Sequence, residues 1–190
     1  AEKATKIIIG VALVLGLALS MFLFIFLPAF VVSFLPFVKG NPVLRNLLEG
    51  LVRIVILLVY MKLCSSMKDI QRVFAYHGAE HKTIFCYEHG NELTVENARK
   101  ESRFHPRCGT SFLLVVVAVS ILVNSVVITD VTYLRMLYHL LLIPVVVGIS
   151  YEINRWCGRH DNILSAVLSA PGKWLQKLTT FEPDDEMLEC

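Results

Sequence analysis

The stretch IIIGVALVLGLALSMFLFIFLPAFVVSFLPFV, residues 7–38, runs for 32 residues without a charge. About 20 apolar residues suffice to cross a bilayer, so this run spans one with tilt or a bend. Pro28 and Pro36 kink or end it, because proline lacks the N–H of the helical ladder. A signal peptide would be shorter and followed by a small-residue cleavage site, and neither holds here. The rest of the 190 residues agrees: 55% are hydrophobic and only 18% charged. The mean hydropathy is +0.62. These values indicate an integral membrane protein of all-α class.

The other spans follow from charge placement. Residues 43–64 are apolar except for Arg45, Glu49 and Arg53, spaced by fours on one helix face, and Lys62 near the end. A charge at mid-membrane costs about 3 kcal/mol, so these residues should pair or face a polar interior. The segment reads as a second span, with an amphipathic helix lying at the interface as the alternative. Residues 110–129 and 131–151 read as the third and fourth spans, joined by a short turn at Asp130 and Thr132. Arg135 is expected to snorkel outward from the start of the last one. His139, on an apolar helix, is expected to hydrogen-bond a neighbouring helix. Lys and Arg crowd the segment 65–109 and flank the other ends, which marks the cytoplasmic side and places both termini there. The expected architecture is therefore a polytopic helical protein with about four spans at 7–35, 43–64, 110–129 and 131–151. An amphipathic interfacial helix, broken at Pro171-Gly172, and an extended acidic tail should occupy 160–190. The expected location is a bacterial inner (plasma) membrane, crossed several times. The chain opens on Ala1-Glu2-Lys3 and ends on Cys190 after an acidic run, which reads as a piece of a longer protein.

Composition also limits partners. The formal net charge of +2 and the lack of a basic run interleaved with aromatics argue against nucleic acid. Five cysteines without a C-x-x-C pair make a poor disulfide framework and fit reduced thiols on a cytosolic face. The bilayer is the expected partner, with another membrane protein or a membrane-associated substrate beside it.

Chemistry concentrates in the polar segment. His77, Glu80 and His81 read H-x-x-E-H, the order of metal-binding residues in the inverted zincins. On a helix the two histidines lie one turn apart on one face, able to share one metal ion, with Glu80 beside them as a general base. Alone, so short a motif arises by chance, and a lone helical histidine more often makes an ordinary hydrogen bond. His105 and Cys108 add two more donors a short loop away, and zinc suits such a set of N and S ligands, other divalent metals remaining alternatives. Two arrangements stay open. Four ligands, His77, His81, His105 and Cys108, would close a structural tetrahedron. With Glu152 as the third ligand the site would keep a position for water, and Glu80 would act as base. The plainer reading of Glu152 is an ion pair with Arg155 or Arg159. Cys108, beside Arg107 and a helix start, could also be a nucleophile. Cys86, Glu88 and His89 read as surface residues.

Residues 72–84 (RVFAYHGAEHKTI), 93–97 (LTVEN) and 105–112 (HPRCGTSF) together resemble the YqhQ-like family of bacterial membrane proteins. Pro144, residues 148–152 (GISYE) and Thr179-Thr180 with Glu182-Pro183 are similar as well. The resemblance implies a membrane protein predicted to be a metal-dependent enzyme, in a family of unknown function. It places His77, Glu80, His81, His105 and Cys108 at motif positions. Family members also carry a Gly-rich segment ahead of the first span, which this sequence lacks. The expected function is a zinc-dependent membrane hydrolase acting at the cytoplasmic face. The main alternative is a metal-stapled scaffold, chaperone or partner-binding subunit, and a transporter comes third.

Overall fold

The computed structural model describes residues 2–38, 40–129, 131–160 and 162–190, and within them the chain is all-α. The expected turn residue Asp130 lies outside the described residues. In order, the helices are α1 (Glu2–Met21), α2 (Leu27–Ser33), α3 (Pro42–Cys64), α4 (Lys68–Glu88), α5 (Val95–Lys100), α6 (Gly109–Ser125), α7 (Thr132–Cys157), α8 (Ile163–Thr179) and α9 (Asp185–Glu189). Two stretches, Lys3–Ser33 and Tyr133–Cys157, are long and apolar enough to cross a membrane, and Gly109–Ser125 is a shorter apolar helix. The chain forms two compact units, one of residues 1–57 and 121–141, the other of residues 58–120 and 142–190.

In the first unit, α1 runs into α2 through a π turn at Phe22–Phe26, where the Leu27 N–H reaches back to the Phe22 carbonyl. Pro28 explains the irregularity: it has no N–H to give the carbonyl of Phe24, four residues earlier. Arg53 supplies the donor instead, its Nε lying 2.8 Å from the Phe24 oxygen. Glu49 is buried and takes Arg45 at 3.2 Å and Arg135 at 3.1 Å. Arg135 is itself only 4% exposed, so it does not snorkel outward. Glu49 is 3% exposed, and a carboxylate so buried favours a close, desolvated cation beside the more open Arg45. Asn46 donates to the Asn124 carbonyl at 2.8 Å and tethers the end of α6 to α3. His139 Nε2 is buried with no hydrogen-bond partner among the described residues, contrary to the expected interhelical bond.

The second unit carries the polar residues. Helix α4 packs with α5 and α9 around Ala79, Cys86, Ala98 and Leu188. Cys86 is fully buried rather than superficial, and its thiol donates to the Glu92 carbonyl at 3.3 Å. Thr94 caps α5 by accepting the Asn97 N–H, as its type predicts. Helix α8 passes unbroken through Pro171-Gly172. Gly172 permits this packing, since a Cβ there would lie 2.5 Å from the Ser111 Cβ on α6. The acidic tail is not extended: Asp184 caps the short α9, and Met187 and Leu188 pack on the core of α4 and α5. Its charges find partners too. Glu182 meets Lys82 at 2.7 Å and Arg103 at 3.4 Å, and Asp185 pairs with Arg99.

Candidate metal centre

The site lies wholly in the second unit and begins with a close approach. Gly78 on α4 has no side chain, and a Cβ there would sit 2.1 Å from the Phe181 carbonyl oxygen. That space lets the strand-like segment after α8 lie against α4, where the Phe181 N–H donates to the Phe74 carbonyl at 2.9 Å. The last residue of α8, Thr179, is thereby held over His77.

His77 Nδ1 then donates to the Thr179 carbonyl at 2.8 Å, and its Nε2 faces Cys108 Sγ at 3.2 Å. His81, one turn on, donates from Nδ1 to the Arg103 carbonyl at 2.6 Å. Its ring also stands beside Cys108 and helps to lower the pKa of that thiol. One donor atom from each of His77, His81 and Cys108 lies within 4.8 Å of the other two. Backbone carbonyls thus fix both imidazoles through Nδ1–H, with His77 Nε2 toward the sulfur and His81 in the same cluster. Metal-ligating histidines are oriented in this way, their second nitrogen donating to a carbonyl or carboxylate.

Cys108 precedes the first residue of α6 and serves as its cap, Sγ accepting the Thr110 N–H at 3.4 Å. The Thr110 hydroxyl is 3.2 Å from the same sulfur and 3.4 Å from the Thr179 hydroxyl. Burial pushes the Cys108 thiol up, but the bonds from His77, His81 and Thr110 outweigh it and bring its pKa down to about 5. His77 moves the opposite way, above its usual value, chiefly through its bond to Cys108 and against the effect of burial. The result is a thiolate beside an imidazole whose protonated form that thiolate favours.

His105 sits apart from the three. Its ring centroid is 5.8 Å from that of His81, and both ring nitrogens are engaged, Nδ1 by the Arg107 N–H and Nε2 by Glu88 at 3.3 Å. Burial lowers its pKa, with Glu88 opposing. Glu88 also pairs with Arg107, so it is an organising residue rather than a bystander. Glu152 is exposed and paired with Arg155 at 3.3 Å, and it is not part of the cluster. Glu80 is exposed, near enough to raise the pKa of His77 by its charge. His89 pairs with Glu101 at 3.0 Å.

Several residues that hold the site were not singled out from the sequence. Gln176 is fully buried and clasps the loop before α6: its Oε1 accepts the His105 N–H at 2.8 Å, and its Nε2 donates to the His105 carbonyl at 2.6 Å and the Ser111 hydroxyl at 2.7 Å. Lys82 is 4% exposed and donates to the carbonyls of Arg99 and Glu101 at 3.0 and 2.8 Å. Thr110 and Thr179 fall in the motif-like blocks that carry the family resemblance, which was a usable signal; nothing marked Gln176. A cavity of this unit, about 1080 Å³, is lined by Arg107, Glu88, Ser165 and Lys173 among others and by none of the three cluster residues.

A family model described as "Protein of unknown function (DUF1385)" matches residues 1–190. The chain is 41% identical over 177 residues to the "Uncharacterized protein YqhQ" of Bacillus subtilis (strain 168), covering 93% of this chain and 56% of that protein. The chain therefore spans little more than half the length of this relative. No solved structure matches.

Proposed function

Starting from the fact that the chain belongs to the DUF1385 family, we propose that it is a membrane-embedded zinc protein whose centre is built from His77, His81 and Cys108. One observation carries this reading: two histidines, each with Nδ1–H given to a backbone carbonyl, converge with a single cysteine, His77 Nε2 lying 3.2 Å from its sulfur. Zinc bonds of about 2.0–2.3 Å put tetrahedral donors roughly 3.5 Å apart. The spread of up to 4.8 Å is within reach of small side-chain rotations. A soft thiolate with two imidazoles selects zinc over calcium or magnesium, which take oxygen ligands.

Three protein ligands leave a fourth position open, the pattern of catalytic rather than structural zinc. Zinc in such a place supplies Lewis acidity, polarising a carbonyl or phosphoryl oxygen and making water acidic near pH 7. The function this supports best is a hydrolase working where the polar segment meets the membrane, as the two long apolar helices suggest. His77 and His81 hold the centre, Thr110 and Thr179 offer hydroxyls beside the open position, and Glu80 is the base. A substrate at the membrane surface follows from that location.

The burial of His81 and Cys108, at 4% and 6% exposure, favours a second reading: a metal staple joining α4 to the start of α6 in a non-enzymatic scaffold. Metal content of the detergent-purified protein, followed by Glu80→Gln, separates the two. The hydrolase reading expects near-stoichiometric zinc in the wild type and in Glu80→Gln, with function in cells lost only in the latter. Zinc retained and function intact in Glu80→Gln would leave the staple. Absence of zinc from wild type purified without chelator would remove both.

A further inference from the structure

The buried charge of the first unit does not balance. Arg45 and Arg135 both lean on one carboxylate, Glu49, and Arg135 and Glu49 are 4% and 3% exposed. Arg53 adds a third positive charge, its Nε given to the Phe24 carbonyl, which is neutral and does not offset it. Among the described residues, two guanidiniums thus share one carboxylate, Arg135 buried and Arg45 29% exposed, an arrangement that a further anion at the open side of Arg45 would relieve.

Two cavities share these same arginines. One, about 210 Å³, is polar and lined also by Asn41, Asn46 and Thr129. The other, about 590 Å³, is a groove walled by Phe22, Phe26, Leu27 and Phe30. A separate observation bears on the polar cavity: Asn46 is 5% exposed, its Nδ2 is fixed by the Asn124 carbonyl, and its Oδ1 has no partner among the described residues. That oxygen needs a donor, and a buried acceptor left unmet is unfavourable. The groove lies in the size range of small-molecule sites, about 300–1,000 Å³.

We propose that the first unit binds an anionic glycerophospholipid with a hydroxylated headgroup, its phosphate between Arg45 and Arg135, a headgroup hydroxyl on Asn46 Oδ1, and an acyl chain along Phe22, Phe26 and Phe30. One phosphate monoanion brings the two guanidiniums and Glu49 to neutrality. The planar fork of arginine suits phosphate oxygens. The aromatic wall matches a hydrocarbon tail, and the hydroxyl satisfies the orphaned amide oxygen. The inference rests on the membrane reading above and uses no residue of the metal cluster.

The test is lipid retention by the full chain, delipidated in detergent and offered phosphatidylglycerol, phosphatidylcholine or inorganic phosphate, read by native mass spectrometry and thermal shift. Wild type should retain phosphatidylglycerol at least about tenfold over phosphatidylcholine. Arg45→Gln should abolish the preference, and Ala29→Trp, which adds bulk to the groove wall and keeps both arginines in the chain, should lower retention of the lipid. Cys108→Ala should keep the preference. Equal retention of both lipids, or retention indifferent to Ala29→Trp, overturns the proposal. Stabilisation by inorganic phosphate as strong as by the lipid points to a soluble anion and overturns it as well. Should Arg45→Gln fail to fold, Ala29→Trp and the lipid comparison still decide. Loss of the chain from the membrane fraction on alkaline carbonate extraction would instead defeat the membrane reading beneath it.

Discussion

Cys108 is the residue on which the centre turns, because it belongs to two arrangements at once. As the cap of α6 it accepts the Thr110 N–H, and as the meeting point of two imidazoles it is held as thiolate. A thiol whose folded pKa is depressed from 9 to about 5 contributes stability that is complete above its unfolded value. That contribution is lost as the pH falls through the folded value. The raised His77 has the opposite sign: its share is present below its ordinary pKa and disappears as the pH rises through the folded one. We expect the metal-free protein to show thiolate absorbance at pH 7 that vanishes with a midpoint near pH 5. The same signal should be missing in Cys108→Ser; a midpoint near 9 in wild type would refute the arrangement. Metal and proton compete for Nε2, so zinc affinity should fall on acidification, with proton release on binding measurable by calorimetry in two buffers. Glu152 and His105 show why residue type alone did not choose the ligand set. Both are plausible donors, but Glu152 is turned to Arg155 and His105 to Glu88.

Between elements, packing rather than motif spacing places the donors. Gly78 was legible only as a weak point in a helix, costing about 1 kcal/mol relative to alanine. Its role comes from a segment a hundred residues later that lies against it. Gly78→Ala should therefore destabilise by about 1–3 kcal/mol, the usual cost of overpacking, instead of stabilising the helix. Because the Thr179 carbonyl orients His77, zinc occupancy should drop in the same variant. A thermal melt unchanged from wild type would mean that the 179–183 segment does not press on α4. Gln176 clasps the loop that delivers Cys108 through three hydrogen bonds, two to the His105 backbone and one to Ser111. At about 1 kcal/mol each, with buried groups left unmet, Gln176→Leu should cost roughly 2–4 kcal/mol. Denaturant unfolding measures it, and a loss under 1 kcal/mol would show that the loop holds by itself. Tail charges follow the same logic. The tail was expected to be extended, yet Glu182 and Asp185, both still largely exposed, reach the buried Lys82 and the side chains of Arg103 and Arg99.

For the whole molecule, the metal centre ought to act on one unit and not the other. Ligand binding stabilises the unit that contains the site by mass action. Chelation of zinc should lower the melting temperature and speed amide exchange in α4, the loop before α6, and the end of α8. Exchange in residues 2–33 should stay unchanged. Uniform acceleration along the chain, or none, would contradict a centre confined to residues 58–120 and 142–190. Apolar run lengths and helix punctuation determined the all-α class and the helix bearing His77 and His81; of the about four spans expected, two helices are long and apolar enough for a bilayer among the described residues. Those features are local, since 3.6-residue periodicity, the missing N–H of proline and a capping hydroxyl act within a few residues of sequence. The tertiary structure alone decided which of five candidate ligands converge, that Arg135 turns inward to Glu49, and that the tail folds back. Each depends on which distant groups become neighbours, and a buried charge or lone pair takes the partner that packing brings within about 3 Å, whatever its place in the sequence.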